Sequence, residues 1–201
     1  VFGNGHPTRV YAMNERPSSD FTPGSVQQTG RDLDVAVKGG GWIAVQANDG
    51  TEAYSRRGDL RVDSAGLLST GNGLPVIGNG GPIALPPFDK IDIGVDGTIS
   101  IVPQGAQPNE TAVIDRIKLV EPQFDQMEKG KDGLMRLQSG EQAEASANQR
   151  LISGALENSN VNIVDEMVNM IELSRRFEMQ VKMMKTAEQN AEAAAGLLRP
   201  M

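Results

Sequence analysis

The chain has 201 residues, 38% of them hydrophobic and 22% charged, which is the composition of an ordinary globular protein with a buried core. Its net charge of −7 argues against a nucleic-acid-binding protein, because contacts to phosphates require clustered lysine and arginine, and it removes electrostatic attraction to an anionic membrane surface. The chain contains no cysteine, which excludes disulfides, a thiolate zinc site and a cysteine nucleophile.

Residues 1–32 form the first distinct segment, which is polar and contains prolines, and we predict that it is extended and loop-like. The single histidine of the chain, His6, lies there directly before Pro7. Because nothing nearby suggests a nucleophile or carboxylate partner, we interpret it as a solvated loop residue. No basic stretch precedes an apolar run, and no run reaches the roughly 20 apolar residues of a spanning helix, so we predict neither a secretory signal nor a transmembrane helix.

Residues 33–160 are predicted to form a β-rich core domain. All glycines and prolines of the chain except Gly196 and Pro200 precede residue 161, so this part is punctuated by turns. Signals for a turn recur about every ten residues, which is typical of an all-β sandwich or barrel. Runs that are typical of β-strands lie at residues 33–37, 42–47, 52–56, 91–93, 99–101, 113–120 and 151–157, with weaker turn signals at 63–66 and 71–73.

Two tight hairpins are predicted inside this domain. Asp49-Gly50 and Asp96-Gly97 each separate two strand-like runs. This dipeptide is a strong hairpin signal, because glycine accepts the positive φ that the turn requires. Residues 138–150 are polar and rich in alanine and glutamate, so we expect an exposed connector there.

Residues 161–201 are predicted to form one long C-terminal α-helix, since residues 161–195 contain neither glycine nor proline. Asn160 or Asn162 can cap its start, and Asp165 and Glu166 complement the positive end of the helix dipole. About 36 helical residues at 1.5 Å each give a rod about 54 Å long. The sequence therefore predicts a mainly β core followed by a single long helix.

Apolar residues follow the alternating spacing of four and three residues that is typical of a coiled-coil seam along this helix. Because so long a helix overhangs its own domain, we expect this seam to be buried against another helix or chain. The alternative is that the helix folds back on the β domain as an ordinary core helix. The predicted subunit-packing seam consists of Ile163, Met167, Met170, Phe177, Val181, Met184, Ala191 and Leu198.

Catalytic, metal and cofactor sites are not predicted. Asp92 and Asp96 are spaced like part of a calcium loop, but the EF-hand spacing and its final glutamate are missing, so a hairpin turn is the better interpretation. The glycine-rich runs at 39–41 and 78–81 are not followed by helical patterns, which argues against a nucleotide site. A carbohydrate-acting enzyme with paired carboxylates stays an alternative, although eight aromatic residues leave few for sugar platforms.

Several segments resemble the signatures of bacterial flagellar rod and hook proteins. Residues 156–162 (LENSNVN) and 167–171 (MVNMI) are similar to the C-terminal signature of that family. Residues 33–46 and 49–58 are similar to its core-domain signature, which continues through 66–68 and 73–78. The resemblance covers about residues 30–200.

The resemblance implies a structural subunit of the flagellar basal-body rod that transmits torque for motility. It further implies export through the flagellar type III apparatus and assembly in the periplasm, with other rod subunits, the same and related, as partners and with no nucleic acid or small-molecule substrate. In this family the C-terminal helix pairs with an N-terminal helix of the intact protein. The signature of that N-terminal helix does not occur in this sequence, so we expect the seam here to pair with another chain or to fray.

Within the family, residues 175–180 (RRFEMQ) and the compact middle domain favour a subunit of the proximal rod, and a subunit of the distal rod is the alternative. Outside the family, the competing interpretation is a non-flagellar binding module whose C-terminal helix forms a dimer. A discrete dimer without a rod would favour that module.

Overall fold

The structure, a computed structural model, describes residues 20–107 and 110–197, and it describes side chains within the helix up to Glu192. It divides after Glu157 into a β unit, which ends at that residue, and a helical unit that begins at Asn158. The described residues before 158 are rich in strands, and the helical unit contains one long helix, so the predicted fold class is confirmed. His6 lies outside the described residues.

Sixteen strands and two helices are formed by the described residues. The strands are β1 (Val26–Gln28), β2 (Val35–Lys38), β3 (Trp42–Gln46), β4 (Glu52–Ser55), β5 (Leu60–Val62), β6 (Leu68–Thr70), β7 (Ile77–Gly78), β8 (Gly81–Pro82), β9 (Phe88–Ile93), β10 (Thr98–Pro103), β11 (Ala112–Arg116), β12 (Leu119–Val120), β13 (Met127–Lys129), β14 (Met135–Leu137), β15 (Arg150–Ser153) and β16 (Ala155–Glu157). A 3-10 turn spans Phe124–Gln126, and the long helix α1 spans Ile163–Leu197.

The strands pair antiparallel in small sheets. The largest has the order β12-β3-β4-β14-β13, and a second has the order β11-β10-β9. Four two-stranded pairs accompany them: β1 with β16, β2 with β15, β5 with β6 and β7 with β8. Three of these pairings, β1–β16, β2–β15 and β3–β12, join strands that are far apart in the sequence, so the β unit closes on itself from its two ends.

Both predicted hairpins are confirmed. In the first, β3 pairs with β4 and Gly50 adopts φ +82°, the left-handed conformation that glycine adopts without a steric penalty. In the second, β9 pairs with β10 and Gly97 adopts φ +86°. Asp96 accepts hydrogen bonds from the backbone N–H and the hydroxyl of Thr98 at 3.1 and 2.8 Å, which hold this turn closed.

Two hydrophobic clusters form the core of the β unit. The larger is almost entirely aliphatic, as a chain with few aromatic residues requires, and it includes Ile43, Leu60, Leu68, Ile99 and Leu151, all at most 2% exposed. The smaller is built around Trp42 and Tyr54, with Val120, Met127 and Met135. Strands β3 and β4 contribute side chains to both clusters, because successive residues of a strand point to opposite faces.

Two strands that the sequence predicted as continuous are interrupted. Residues 151–157 form β15 and β16, because Gly154 turns the chain with φ +69° and donates its N–H to the carbonyl of Asp34 at 2.7 Å. Residues 113–120 form part of β11 and all of β12, and between them the Ile117 N–H donates to the carbonyl of Gly97. A break at each point lets one run serve two different sheets.

The predicted exposed connector at 138–150 is exposed only in part. Ala143 and Gln149 are buried, at 9% and 6% exposure. The predicted loop-like segment at 1–32 contains β1, and its residues 1–19 lie outside the described residues. Because β1 pairs antiparallel with β16, placing Val26 opposite Glu157, the chain enters and leaves the β unit side by side.

Candidate assembly site

The start of α1 is set by Asn162, one of the two predicted caps. Its side-chain Oδ1 accepts a hydrogen bond from the backbone N–H of Val164 at 3.0 Å, and its carbonyl accepts one from the N–H of Glu166 at 3.1 Å. Its amide nitrogen donates to Asp165 at 2.8 Å. The side-chain bond satisfies the Val164 N–H, which has no partner within the helix, and the bond from Glu166 is the first of the helical ladder. Asp165 and Glu166 lie where the dipole favours negative charge.

The predicted seam is exposed along the described part of α1. Its large apolar members are between 42% and 68% exposed, with Val181 the least and Ile163 the most exposed. Ala191 is exposed too, whereas Leu198 lies outside the described residues. A row of apolar side chains this long is uncommon on the surface of a monomer and is typical of a surface that another polypeptide covers. The assignment of these residues as a subunit-packing seam stays a prediction.

A second apolar band lies on another side of the same helix. Val164, Val168 and Ile171 flank the seam near its start and are all exposed. At 100° per residue, Met179 and Met183 lie on the same side as Val168, and both are more than half exposed. Strict heptad spacing missed these two methionines; the angle around the helix would have found them. The helix therefore presents apolar surface in two directions.

Charged side chains border this apolar surface without forming a ligand site. Phe177 and Val181 line a shallow apolar hollow together with the aliphatic stems of Lys182 and Lys185. One turn earlier, Arg176 and Glu172 approach to 3.8 Å and are both well exposed. An exposed pair of this kind contributes little to stability, so these charges act as a polar rim.

In the described part of the β unit, charged side chains pair with one another instead of forming a reactive cluster. The Lys118 Nζ donates to both carboxylate oxygens of Glu52 at 2.7 and 2.9 Å in a polar cleft, and Tyr54 donates to the same carboxylate. The hydrogen bonds from Thr98 that hold the hairpin turn also lower the pKa of Asp96. Among the described residues, no three histidine, aspartate or glutamate side chains are grouped so as to hold a metal ion.

The helix is not a membrane span. No helix in residues 20–107 and 110–197 combines the length and the apolar character that crossing a bilayer requires.

Comparison with known proteins decides the family. Residues 152–197 match the family described as flagellar basal body rod FlgEFG protein, C-terminal, and residues 36–101 match that described as flagellar hook protein FlgE/F/G D1 domain. The chain is 44% identical to the flagellar basal-body rod protein FlgF of Escherichia coli K12, across 98% of this chain and 81% of that protein. The chain belongs to the flagellar basal-body rod protein family.

Two further relatives indicate its place among the flagellar basal-body rod proteins. FlgF of Salmonella typhimurium is 43% identical over 98% of this chain and 81% of its own length. FlgG of Bacillus subtilis is 33% identical over 87% of this chain and 69% of its own length. The chain is thus FlgF-like, and the resemblance found from sequence signatures is confirmed. Arg56 lies in the matched segment 36–101, and Glu157 and the described seam lie in the matched segment 152–197.

Proposed function

We propose that this chain is a structural subunit of the proximal part of the flagellar basal-body rod and that α1 carries its contacts with other subunits. The family supports a structural role in the rod. The observation that carries the second half of the proposal is the exposure of the seam. Six large apolar side chains, from Ile163 to Met184, are exposed at the spacing that another helix would cover.

The helix α1 is expected to be more stable when a partner covers its apolar seam. The six large apolar side chains of the seam, at about 1–2 kcal/mol each, give about 6–12 kcal/mol when buried. Fixing the backbone costs about 1–2 kcal/mol per residue, which the hydrogen bonds within the helix only just offset, so the helix alone is marginal. Covering the seam shifts this balance toward the ordered helix, which couples folding of the tail to assembly.

The first partner that we propose for the seam is the N-terminal helix of the intact rod protein. The pairing of β1 with β16 supports this, because it holds the incoming and outgoing segments of the chain next to each other at the boundary of the β unit. A helix that precedes β1 would then end close to the start of the helix that follows β16. The division into a segment at 1–32, a β core at 33–160 and an assembly helix at 161–201 follows the same scheme.

Further subunits, of this chain and of related rod proteins, are the second partners. The apolar band around Val168 and Met183 gives α1 a second face to cover once the seam is occupied. Contacts between two different faces propagate as an open helical assembly when the rotation between subunits does not close into a ring. Such an assembly, built in the periplasm from subunits exported by the flagellar type III apparatus, transmits torque through many shared contacts. This role requires no catalytic residue, cofactor or metal.

Charged substitutions in the seam test this proposal. The full-length protein carrying Phe177→Asp or Met184→Asp is expressed in cells that lack their own copy, and swimming and isolated basal bodies are examined. Met184→Leu is the matched control, because it keeps an apolar side chain of similar volume at the same seam position. We expect loss of motility and of complete rods for the seam variants and near-normal motility for the control. Normal motility of the seam variants, or a discrete dimer as the final state of the native protein, would overturn the proposal.

A further inference from the structure

The last residue of the β unit is held by a buried, fully hydrogen-bonded carboxylate. Nε and Nη2 of Arg56 donate to Oε2 of Glu157 at 2.9 and 2.7 Å, and Nε also lies 3.1 Å from Oε1. The backbone N–H of Gly24 donates to Oε1 at 2.8 Å. The Glu157 side chain is only 8% exposed. One carboxylate therefore contacts the incoming segment and the core at the point where the chain leaves the unit.

The Arg56 guanidinium is itself fixed from the other side. Its Nη1 donates to the carbonyls of Gly39 and Gly41, both at 2.9 Å. The guanidinium carbon lies 5.7 Å from the centre of the Trp42 ring, within the range of a cation–π contact. Lysine cannot reproduce this arrangement, because only the planar guanidinium offers several donors in a fixed fork.

The incoming segment, residues 20–28, is held at three places, and we call it the strap. Phe21 lies edge-on to Trp42 with ring centres 6.1 Å apart and stacks on Phe124 at 4.8 Å. Gly24 is bound to Glu157, and the end of the strap is β1, which pairs with β16. Apart from Phe21, these attachments all involve β16, so the strap and β16 form one local layer over the rest of the β unit.

We propose that the Arg56–Glu157 pair is a positioning clamp that fixes both the strap and β16 to the core of the β unit. Breaking a buried pair leaves an uncompensated charge, which is strongly destabilising at that place. Because the ladder between β1 and β16 has only three residue pairs, it does not hold the layer without the clamp. Loss of the clamp releases strap and β16 together, while the larger cluster around Ile43 and Leu60 stays packed.

The clamp also joins the two segments of the chain that match flagellar family descriptions. Arg56 is supplied by residues 36–101 and Glu157 by residues 152–197, so the pair connects the two matched segments. Any pull on the chain beyond residue 157 reaches Glu157 first among the residues of the β unit. This inference goes beyond the proposed function, because it concerns the single chain and its test needs no assembly.

Hydrogen exchange of the full chain, followed by mass spectrometry, tests the clamp with Glu157→Gln and Arg56→Lys. Arg57→Lys is the matched control, since the neighbouring Arg57 pairs with Asp59 and is about half exposed. For the two clamp variants we expect amide exchange in residues 21–30 and 155–157 to rise at least tenfold, with exchange in β3 unchanged. Emission from Trp42, the single tryptophan, shifts to longer wavelength as Phe21 leaves it.

Two results would overturn the clamp. The first is exchange in the strap and β16 that equals that of the native chain, and the second is an increase of the same factor in β3, which indicates only global destabilisation. Phe21→Ala keeps the test decisive if a clamp variant does not fold, because it leaves the ion pair in place. It should loosen residues 20–24 while β16 stays protected; release of β16 in this variant would also contradict the proposal.

Discussion

The hydroxyl of Tyr54 accepts a hydrogen bond from the backbone N–H of Ala143 at 2.6 Å and donates one to Glu52 at 3.1 Å. Tyr54 is 1% exposed, and Ala143 lies in the segment that connects β14 to β15. This side chain therefore anchors a long polar connector to the middle of the largest sheet. The connector stays in place because its buried N–H finds its partner on β4.

Tyr54→Phe should lower the free energy of unfolding by about 1–2 kcal/mol. The ring and its packing are kept, but the N–H of Ala143 loses its partner in a buried place. Urea unfolding, followed by Trp42 fluorescence and circular dichroism, measures the change. A midpoint equal to that of the native chain would show that the hydroxyl contributes nothing.

A rise to alkaline pH should lower the free energy of unfolding of the native chain more than that of the Tyr54→Phe variant. Burial, together with the nearby charge of Glu52, raises the pKa of Tyr54 from 10.0 to about 12. Between these values the unfolded chain releases the phenol proton and the folded chain keeps it, so the unfolding free energy falls as pH rises. Unfolding curves at several pH values from 9 to 12 should show the difference between the two proteins shrinking. A constant difference through pH 12 would contradict the shift.

Gly58→Ala should destabilise the β unit severely. A Cβ at this buried position would overlap the carbonyl oxygen of Val35, which is backbone and cannot rotate away. We expect a loss of at least about 2–3 kcal/mol in thermal or urea unfolding. The control is Gly80→Ala, where the added methyl meets no atom and φ is not positive, so stability should change by less than about 0.5 kcal/mol. Equal effects at both positions would contradict the packing.

Local signals in the sequence account for much of the fold. Asp49-Gly50 and Asp96-Gly97 predicted hairpins because the turn chemistry lies within four residues, and Asn162 predicted a helix start for the same reason. The seam could be listed because helical periodicity is local. The sequence did not predict the break between β15 and β16 at Gly154. An isolated glycine in a strand-like run does not indicate which strand each half pairs with.

Long-range relationships could not be predicted in this way. Strand β1 consists of three residues, Val-Gln-Gln, which are all exposed and show no alternation of apolar and polar side chains. It is a strand because β16 pairs with it. Likewise, Arg56 and Glu157 are 101 residues apart, and neither segment alone indicates a buried partner. The partner that covers α1 is another part of the assembly, so it stays a proposal. The sequence and the structure identify only the apolar surface of α1 that such a partner would cover.

Burial of the seam in the rod is tested most directly by thiol labelling. Because these 201 residues contain no cysteine, Met184→Cys gives them a single thiol, and the native full-length protein labelled in parallel supplies the background. Reaction with a maleimide-polyethylene glycol is followed by the mass shift of this chain, in isolated basal bodies and in the free monomer. We predict labelling at least tenfold slower in basal bodies, with full labelling of both after unfolding in urea. Equal rates in basal bodies and monomer would show that the seam stays open to solvent, and would contradict its role in subunit packing.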